Sequence, residues 1–106
     1  MQVPAKNRAC SVLIMSPQRI TVRYEGRVQG VGFRYTAVSL AQGLDVTGRV
    51  KNEFDGSVSL VAEGAEEQLM ELLQAIRRSH LGRYITSELV KRSPATGEFK
   101  GFGVQH

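Results

Sequence analysis

The sequence has a single cysteine, no tryptophan and no apolar run that approaches the length of a membrane-spanning helix. Cys10 has no partner for an internal disulfide, and it lies far along the chain from His80 and His106, so no metal-ligand spacing is indicated. A membrane span needs roughly 18 consecutive apolar residues, which are absent here. We therefore expect a protein of a reducing, cytoplasmic compartment that does not associate with membranes.

Acidic residues are fewer than basic ones, 10 against 14, which gives a formal net charge of +4. A basic surface is what binds the phosphate backbone of nucleic acids. However, Lys6 and Arg8 supply two of the four charges, and residues 19–106 hold 12 basic against 10 acidic residues. This longer part is only weakly basic, so nucleic acid is not an expected partner.

The first 18 residues are predicted to be a tail ahead of a single domain at residues 19–106. A basic pair precedes the apolar residues 12–15, which are too few for a secretory signal and have no small-residue cleavage site after them. Met15 begins MSPQRITVRYEG, directly ahead of the first predicted strand. The upstream residues are expected to be a dispensable extension or a product of start-site choice.

Hydrophobic periodicity predicts the order βαββαβ, with a short strand appended at the C-terminus. The predicted strands lie at residues 19–25, 46–53, 58–62, 84–92 and 100–105, and the predicted helices at residues 33–43 and 65–78. Asp55-Gly56 is a turn signal that joins the second and third strands into a hairpin. This order is typical of an α+β, ferredoxin-like sandwich, an antiparallel sheet with two helices on one face.

The stretch GRVQGVGFR, residues 26–34, places three glycines and an arginine between the first strand and the first helix. Glycines allow several backbone N–H groups to point at one anion, for which phosphate is the natural candidate. The spacing matches neither a Walker A loop nor G-x-G-x-x-G, and a tight connection without a ligand explains the glycines equally well. Arg34, in the first helical turn, favours the anion because its guanidinium can add a bidentate fork.

Asn52 continues the core-facing series Val46, Gly48 and Val50 at the end of the second strand. A buried amide needs hydrogen-bond partners at a position where packing alone favours valine or isoleucine. One interpretation is that Asn52 caps the turn of the EFDG hairpin, the more frequent use of asparagine there. The other is that it shares a pocket with the glycine loop and orients a water molecule.

GRVQGVGFR, taken together with GRVKNEFDGSVSLVAEG at residues 48–64, resembles the paired signature of the acylphosphatases. The late TGEFKGFGV is also similar to the family, and the resemblance covers residues 19–104. It implies a ferredoxin-like enzyme that hydrolyses the carboxyl-phosphate bond of acyl phosphates without metal or cofactor. The expected substrate is a small-molecule acyl phosphate, with inorganic phosphate as product and inhibitor, and we expect the protein to be a monomer.

The resemblance also assigns the site residues. It implies that Arg34 binds the phosphate and that Asn52 positions the attacking water. The implied phosphate-binding set is the loop backbone with the arginine guanidinium: Val28, Gln29, Gly30, Val31, Gly32, Phe33 and Arg34. An acyl phosphate is already activated, so placing the reactants and neutralising charge can suffice without a covalent nucleophile. His80, His106 and Ser39 are therefore expected outside the site.

Two other functions fit the same order of elements. An RNA-recognition module shares βαββαβ, and KGFGV at residues 100–104 overlaps the start of the RNP1 pattern. RNP1 belongs on the third strand, however, and SVSLVAE at residues 57–63 has no aromatic residue for stacking. A catalytically idle domain that binds an anion or a partner is the other alternative, and the presence of both Arg34 and Asn52 favours the enzyme over it.

Overall fold

Alternating apolar residues form the strands, and apolar residues three or four positions apart form the helices, in the predicted order in the computed structural model, which describes residues 16–106. In chain order the elements are β1 (Gln18–Gly26), α1 (Phe33–Ala41), β2 (Val46–Asn52), β3 (Val58–Gly64), α2 (Glu66–Arg78), a 3₁₀ helix (His80–Tyr84), β4 (Ile85–Pro94) and β5 (Phe102–Gln105). Residues 1–15 of the predicted tail, Cys10 among them, lie outside the described residues.

The strands form one sheet in the order β4-β1-β3-β2-β5. β1 pairs antiparallel with both β3 and β4, and β2 pairs antiparallel with β3. The appended strand β5 pairs in parallel with β2, so the sheet is mixed, whereas an antiparallel sheet was expected. The reason is the path of the chain after β4, which is an edge strand. Residues 95–101 cross the end of the sheet to the opposite edge, where β5 runs in the same direction as β2.

Both helices cover the same face of the sheet, which confirms the ferredoxin-like arrangement. Alternate residues of the central strands β1 and β3 form one buried cluster with the apolar sides of α1 and α2. The helical contributions to this cluster are Phe33, Ala37 and Ala41 from α1, and Leu69, Leu72, Leu73 and Ile76 from α2. Thr21 and Arg23, between the core residues of β1, face solvent on the other side of the sheet. No helix within residues 16–106 combines the length and the apolar character needed to cross a membrane.

A buried carboxylate holds the segment that crosses from β4 to β5. Glu63, near the end of β3, accepts hydrogen bonds from the backbone N–H groups of Thr96 and Gly97, each at 2.9 Å, and from Arg19 Nε at 2.7 Å. Burial alone raises the pKa of a carboxyl group, but these donors outweigh it and lower the pKa of Glu63 to about 2. Glu63 therefore ties the two central strands to the chain that carries β5 to its edge.

We expect Glu63→Gln to lower the free energy of unfolding near neutral pH by about 1–3 kcal/mol. The glutamine amide would face the same N–H donors without the negative charge that lies opposite Arg19. Folding lowers the pKa of this carboxyl from 4.5 to about 2, so the unfolded chain binds more protons between those values. The stability that Glu63 contributes is complete above the higher value and is lost as the pH falls toward the lower one.

Urea unfolding of wild type and variant at neutral pH and near pH 3 measures this difference. The gap between the two proteins should shrink at the acidic pH. Glu71→Gln, on the exposed side of α2, is the matched control and should change stability little at either pH. A gap that stays constant or widens in acid would contradict the assigned role of Glu63.

Candidate functional site

The glycine loop, which comprises residues 26–32, joins the end of β1 to the start of α1. Gly30 and Gly32 both have φ of 80°, a left-handed conformation that residues with a side chain adopt at a cost. Within residues 16–106, the N–H groups of residues 29–34 donate to no backbone or side-chain acceptor. The loop and the first turn of α1 therefore present a set of unused donors, which is the arrangement that binds anions.

Both ends of the glycine loop are fixed. The N–H of Arg27 donates to the carbonyl of Tyr84 at 3.0 Å, and a Cβ added to Gly26 would lie 2.2 Å from that same carbonyl oxygen. Val28 is fully buried, and the Phe33 ring, also buried, lies 4.9 Å from the ring of a core tyrosine on β1. The loop thus starts against the 3₁₀ helix and ends in the core, so its donors are held in place before any ligand arrives.

Arg34 and Asn52, the two residues with predicted catalytic roles, line one small cavity. Arg34 is the second residue of α1 and Asn52 the last residue of β2, and both side chains are half-buried. The cavity measures about 150 Å³, and its lining residues are Val28, Gly30, Gly32, Phe33, Arg34, Tyr35 and Asn52. None of these lining residues is acidic. Pockets for larger ligands usually measure about 300–1,000 Å³, so this cavity has room for a phosphoryl-sized anion only.

The turn-cap interpretation of Asn52 is not supported by the hydrogen bonds of the hairpin. The turn is capped by Asp55, whose Oδ1 accepts from the N–H of Ser57 at 3.0 Å and from its Oγ at 2.7 Å. Together with an ion pair to Arg23, these bonds hold the pKa of the Asp55 carboxyl below its usual range. Among the described residues, the Asn52 amide has no hydrogen-bond partner. It is therefore available to a molecule in the cavity.

Two residues beside the cavity have contacts that the sequence did not predict. Gln29 turns its side chain toward the hairpin and donates from Nε2 to the carbonyls of Glu53 and Ser57. Tyr35 lines the cavity and is 64% exposed, with its ring centroid 5.9 Å from the Arg34 guanidinium. No spacing in the sequence marks either contact. Gln29 and Val31 do not line the cavity. The predicted roles of the loop residues, Arg34 and Asn52 in binding and catalysis all stay predictions.

The histidines and Ser39 lie away from the cavity lining. His80 is exposed on the 3₁₀ helix, where its Nε2 lies 3.4 Å from the carbonyl oxygen of Val31. His106 and Ser39 are also exposed. Across residues 16–106, no three His, Cys, Asp or Glu side chains come close enough together to hold a metal ion.

A larger groove of about 600 Å³ lies on the helix-free face of the sheet. Exposed Phe54 and Leu89 line it, but so do the carboxylates of Glu53 and Asp55. Neither Arg34 nor Asn52 lines this groove. Its two acidic residues are balanced by Arg23 and Lys91, which also line it, so the groove has no net positive charge to attract an anion. The small cavity is therefore the better candidate site for phosphate, although the groove is larger.

The helix-free face also bears on the RNA-binding alternative. KGFGV lies at the edge of the sheet, in and just before β5, whereas RNP1 residues lie on a central strand. The outward residues in the middle of the central strands are not aromatic; they are Thr21, Arg23, Ser59 and Val61. This part of the face offers no platform on which bases could stack.

Comparison with known proteins gives one consistent result. The acylphosphatase family model matches residues 20–104. A curated acylphosphatase from Salinibacter ruber is 43% identical over 88 residues, which cover 83% of this chain and 93% of the relative. The crystal structure of the acylphosphatase from Bacillus subtilis superposes with a TM-score of 0.78 at 31% identity, covering 84% of this chain and 99% of that one.

Some similar structures belong to chains much longer than this one. Full-length HypF, in its phosphate- and nucleotide-bound form, also superposes with a TM-score of 0.78, at 26% identity. The superposition covers 87% of this chain but 12% of HypF. The same fold therefore occurs both as nearly the whole of a small enzyme and as a small part of a larger protein.

We expect inorganic phosphate to bind in the cavity and to shift the backbone amide NMR signals of residues 29–34. Arg34→Lys keeps the charge but loses the planar fork. Since a charge-assisted hydrogen bond contributes about 1.5–3 kcal/mol, this variant should bind phosphate about 10- to 100-fold more weakly. An NMR titration of each protein with phosphate gives both the affinity and the location.

Arg78→Lys, at the exposed end of α2, is the matched control and should leave phosphate affinity unchanged. If Arg34→Lys bound phosphate as tightly as the wild type, or if the shifts mapped to another surface, the cavity would not be the phosphate site.

Proposed function

Because this chain belongs to the acylphosphatase family, we propose that it hydrolyses acyl phosphates to a carboxylate and inorganic phosphate. The observation that carries the proposal is the meeting of Arg34 and Asn52 in one small cavity beside the unused N–H groups of the glycine loop. Arg34 and the loop N–H groups can bind and neutralise a phosphoryl group, and the Asn52 amide can orient a water molecule. These are the two functions that hydrolysis of an activated phosphate requires.

The phosphoryl oxygens accept hydrogen bonds from the loop N–H groups and from two nitrogens of the Arg34 guanidinium. The acyl part of the substrate extends out of the cavity, since about 150 Å³ accommodates the phosphoryl group alone. Charge develops on the phosphoryl oxygens during transfer, and donors already fixed by the core stabilise it without having to reorganise. Arg34 and the loop therefore act both in binding and in transition-state stabilisation.

The Asn52 amide oxygen accepts a hydrogen bond from the attacking water, which directs an oxygen lone pair at phosphorus. A bond forms between that oxygen and phosphorus while the bond from phosphorus to the carboxyl oxygen breaks. The carboxylate leaves with the electron pair, and the water proton passes to solvent or to the phosphate formed. A carboxylate leaves readily without protonation, so the proposed mechanism assigns no general acid, metal ion or cofactor.

We propose further that residues 19–106 are the catalytic domain and that the protein acts as a cytoplasmic monomer. The product phosphate inhibits by occupying the same cavity.

The second candidate function is an anion- or partner-binding domain without turnover. The similarity to a small part of HypF favours keeping it as the alternative, because there the fold is one portion of a larger protein.

The test is hydrolysis of benzoyl phosphate in the presence of chelator, followed by ultraviolet absorbance. We expect the wild type to turn over the substrate and Asn52→Ala to lower kcat by about 10²-fold, the usual cost of removing one preorganised hydrogen-bonding group. Inhibition by phosphate should be nearly unchanged in that variant, because Arg34 and the loop remain. Ser39→Ala, at an exposed position of α1, is the control and should behave like the wild type.

The second candidate function predicts a different result. A folded wild type that binds phosphate but leaves benzoyl phosphate intact would establish a binding domain. Equal turnover by wild type and Asn52→Ala would keep the enzyme but remove Asn52 from its mechanism. If the wild type were active without chelator and inactive with it, the metal-free mechanism would be overturned.

A further inference from the structure

The amide group of Gln29 makes two hydrogen bonds to the hairpin between β2 and β3. Its Nε2 lies 2.7 Å from the carbonyl oxygen of Glu53 and 2.9 Å from that of Ser57. A carbonyl can only accept, so both amide hydrogens are engaged and the amide oxygen must point away. The side chain is half-buried, which shields these bonds from competing water.

The two acceptors mark the ends of the turn that follows Asn52. The N–H of Glu53 donates to the carbonyl of Ser57 at 2.9 Å, which closes the turn. Glu53 is the direct neighbour of Asn52, and Val58, which follows Ser57, is the residue paired with Asn52 across the hairpin. A bond to both ends of the turn therefore fixes the position of Asn52 itself.

On the other side, Gln29 lies between Val28 and Gly30, which line the cavity. The turn has further bonds, from Arg23 to Asp55 and from Ser59 Oγ to Glu53 Oε2 at 2.6 Å, but these hold it to the sheet. Within residues 16–106, Gln29 makes the only hydrogen bonds between the glycine loop and the turn. It joins the wall of the cavity that carries the anion donors to the wall that carries Asn52.

We propose that Gln29 is a positioning residue, whose side chain sets the distance between the phosphate-binding loop and Asn52. This inference rests on the proposed function, because that distance determines where the oriented water stands relative to phosphorus. Gln29 itself does not touch the reacting atoms. In-line attack depends steeply on geometry, and a displacement of about 1 Å can cost about 10²-fold in rate. Phosphate affinity depends instead on the loop donors and Arg34, which keep their own anchors.

Gln29→Met tests the inference, since methionine has similar length and no donor. We expect kcat for benzoyl phosphate to fall about 10- to 100-fold, while KM and inhibition by phosphate stay within about twofold. The decisive measurement is the same substitution in the Asn52→Ala background. There it should change kcat by no more than about twofold, because the group that Gln29 positions is already gone.

Gln74→Met, at an exposed position of α2, is the matched control and should leave kcat and KM unchanged in both backgrounds. Gln29→Asn, which keeps an amide on a shorter side chain, repeats the test if the methionine variant does not fold. It should show the same loss of kcat and the same dependence on Asn52.

The outcomes separate this inference from the proposed function. An equal loss of kcat with and without Asn52 would assign Gln29 a general structural role, and a loss confined to KM or phosphate affinity would assign it to anion binding. Wild-type kcat in a folded Gln29→Met would also overturn the inference. A folded wild type without turnover would instead overturn the proposed function, and the positioning role with it.

Discussion

The pairing of Val58 with Tyr24 on one side and Asn52 on the other is the constraint on which the site depends. β1 and β2 both run antiparallel to β3, so they finish at the same end of the sheet. The glycine loop leaves β1 there, and Asn52 ends β2, which is separated from β1 only by β3. A shift of one residue in the pairing of β2 with β3 would turn Asn52 from the helix-covered side to the open face, where it could not meet Arg34.

The charges around the cavity are arranged to leave it receptive to an anion. Two acidic residues, Glu53 and Asp55, follow Asn52 in the turn. Their carboxylates are engaged by Ser59, Ser57 and Arg23. No carboxylate lines the cavity, and the N–H groups of residues 29–34 have no competing protein acceptor within the described residues. Because the donors are already oriented and lack partners, a phosphoryl group that entered the cavity would exchange its hydration for fixed dipoles.

The sequence predicted those features of the fold that depend on local periodicity and on a long paired signature. β1, α1, the hairpin and α2 each follow from the spacing of apolar residues, and the signature placed Arg34 and Asn52 in one pocket, where the structure has them. The parallel pairing of β5 could not be predicted, because its direction depends on a crossing segment held by the carboxylate of Glu63. The contacts of Gln29 were equally hidden, since its acceptors are backbone carbonyls, which every residue possesses.

The chemistry proposed here requires geometry more than acid–base groups, and the structure is consistent with that requirement. A neutral amide neither gains nor loses a proton near neutral pH, so Asn52 can orient water equally well over a broad pH range. A carboxylate leaving group needs no proton donor, which makes a histidine in the cavity unnecessary. What remains is to keep the bound phosphorus and the water in line. Two fixed loop ends, a rigid turn and the bridge made by Gln29 supply that with hydrogen bonds and packing alone.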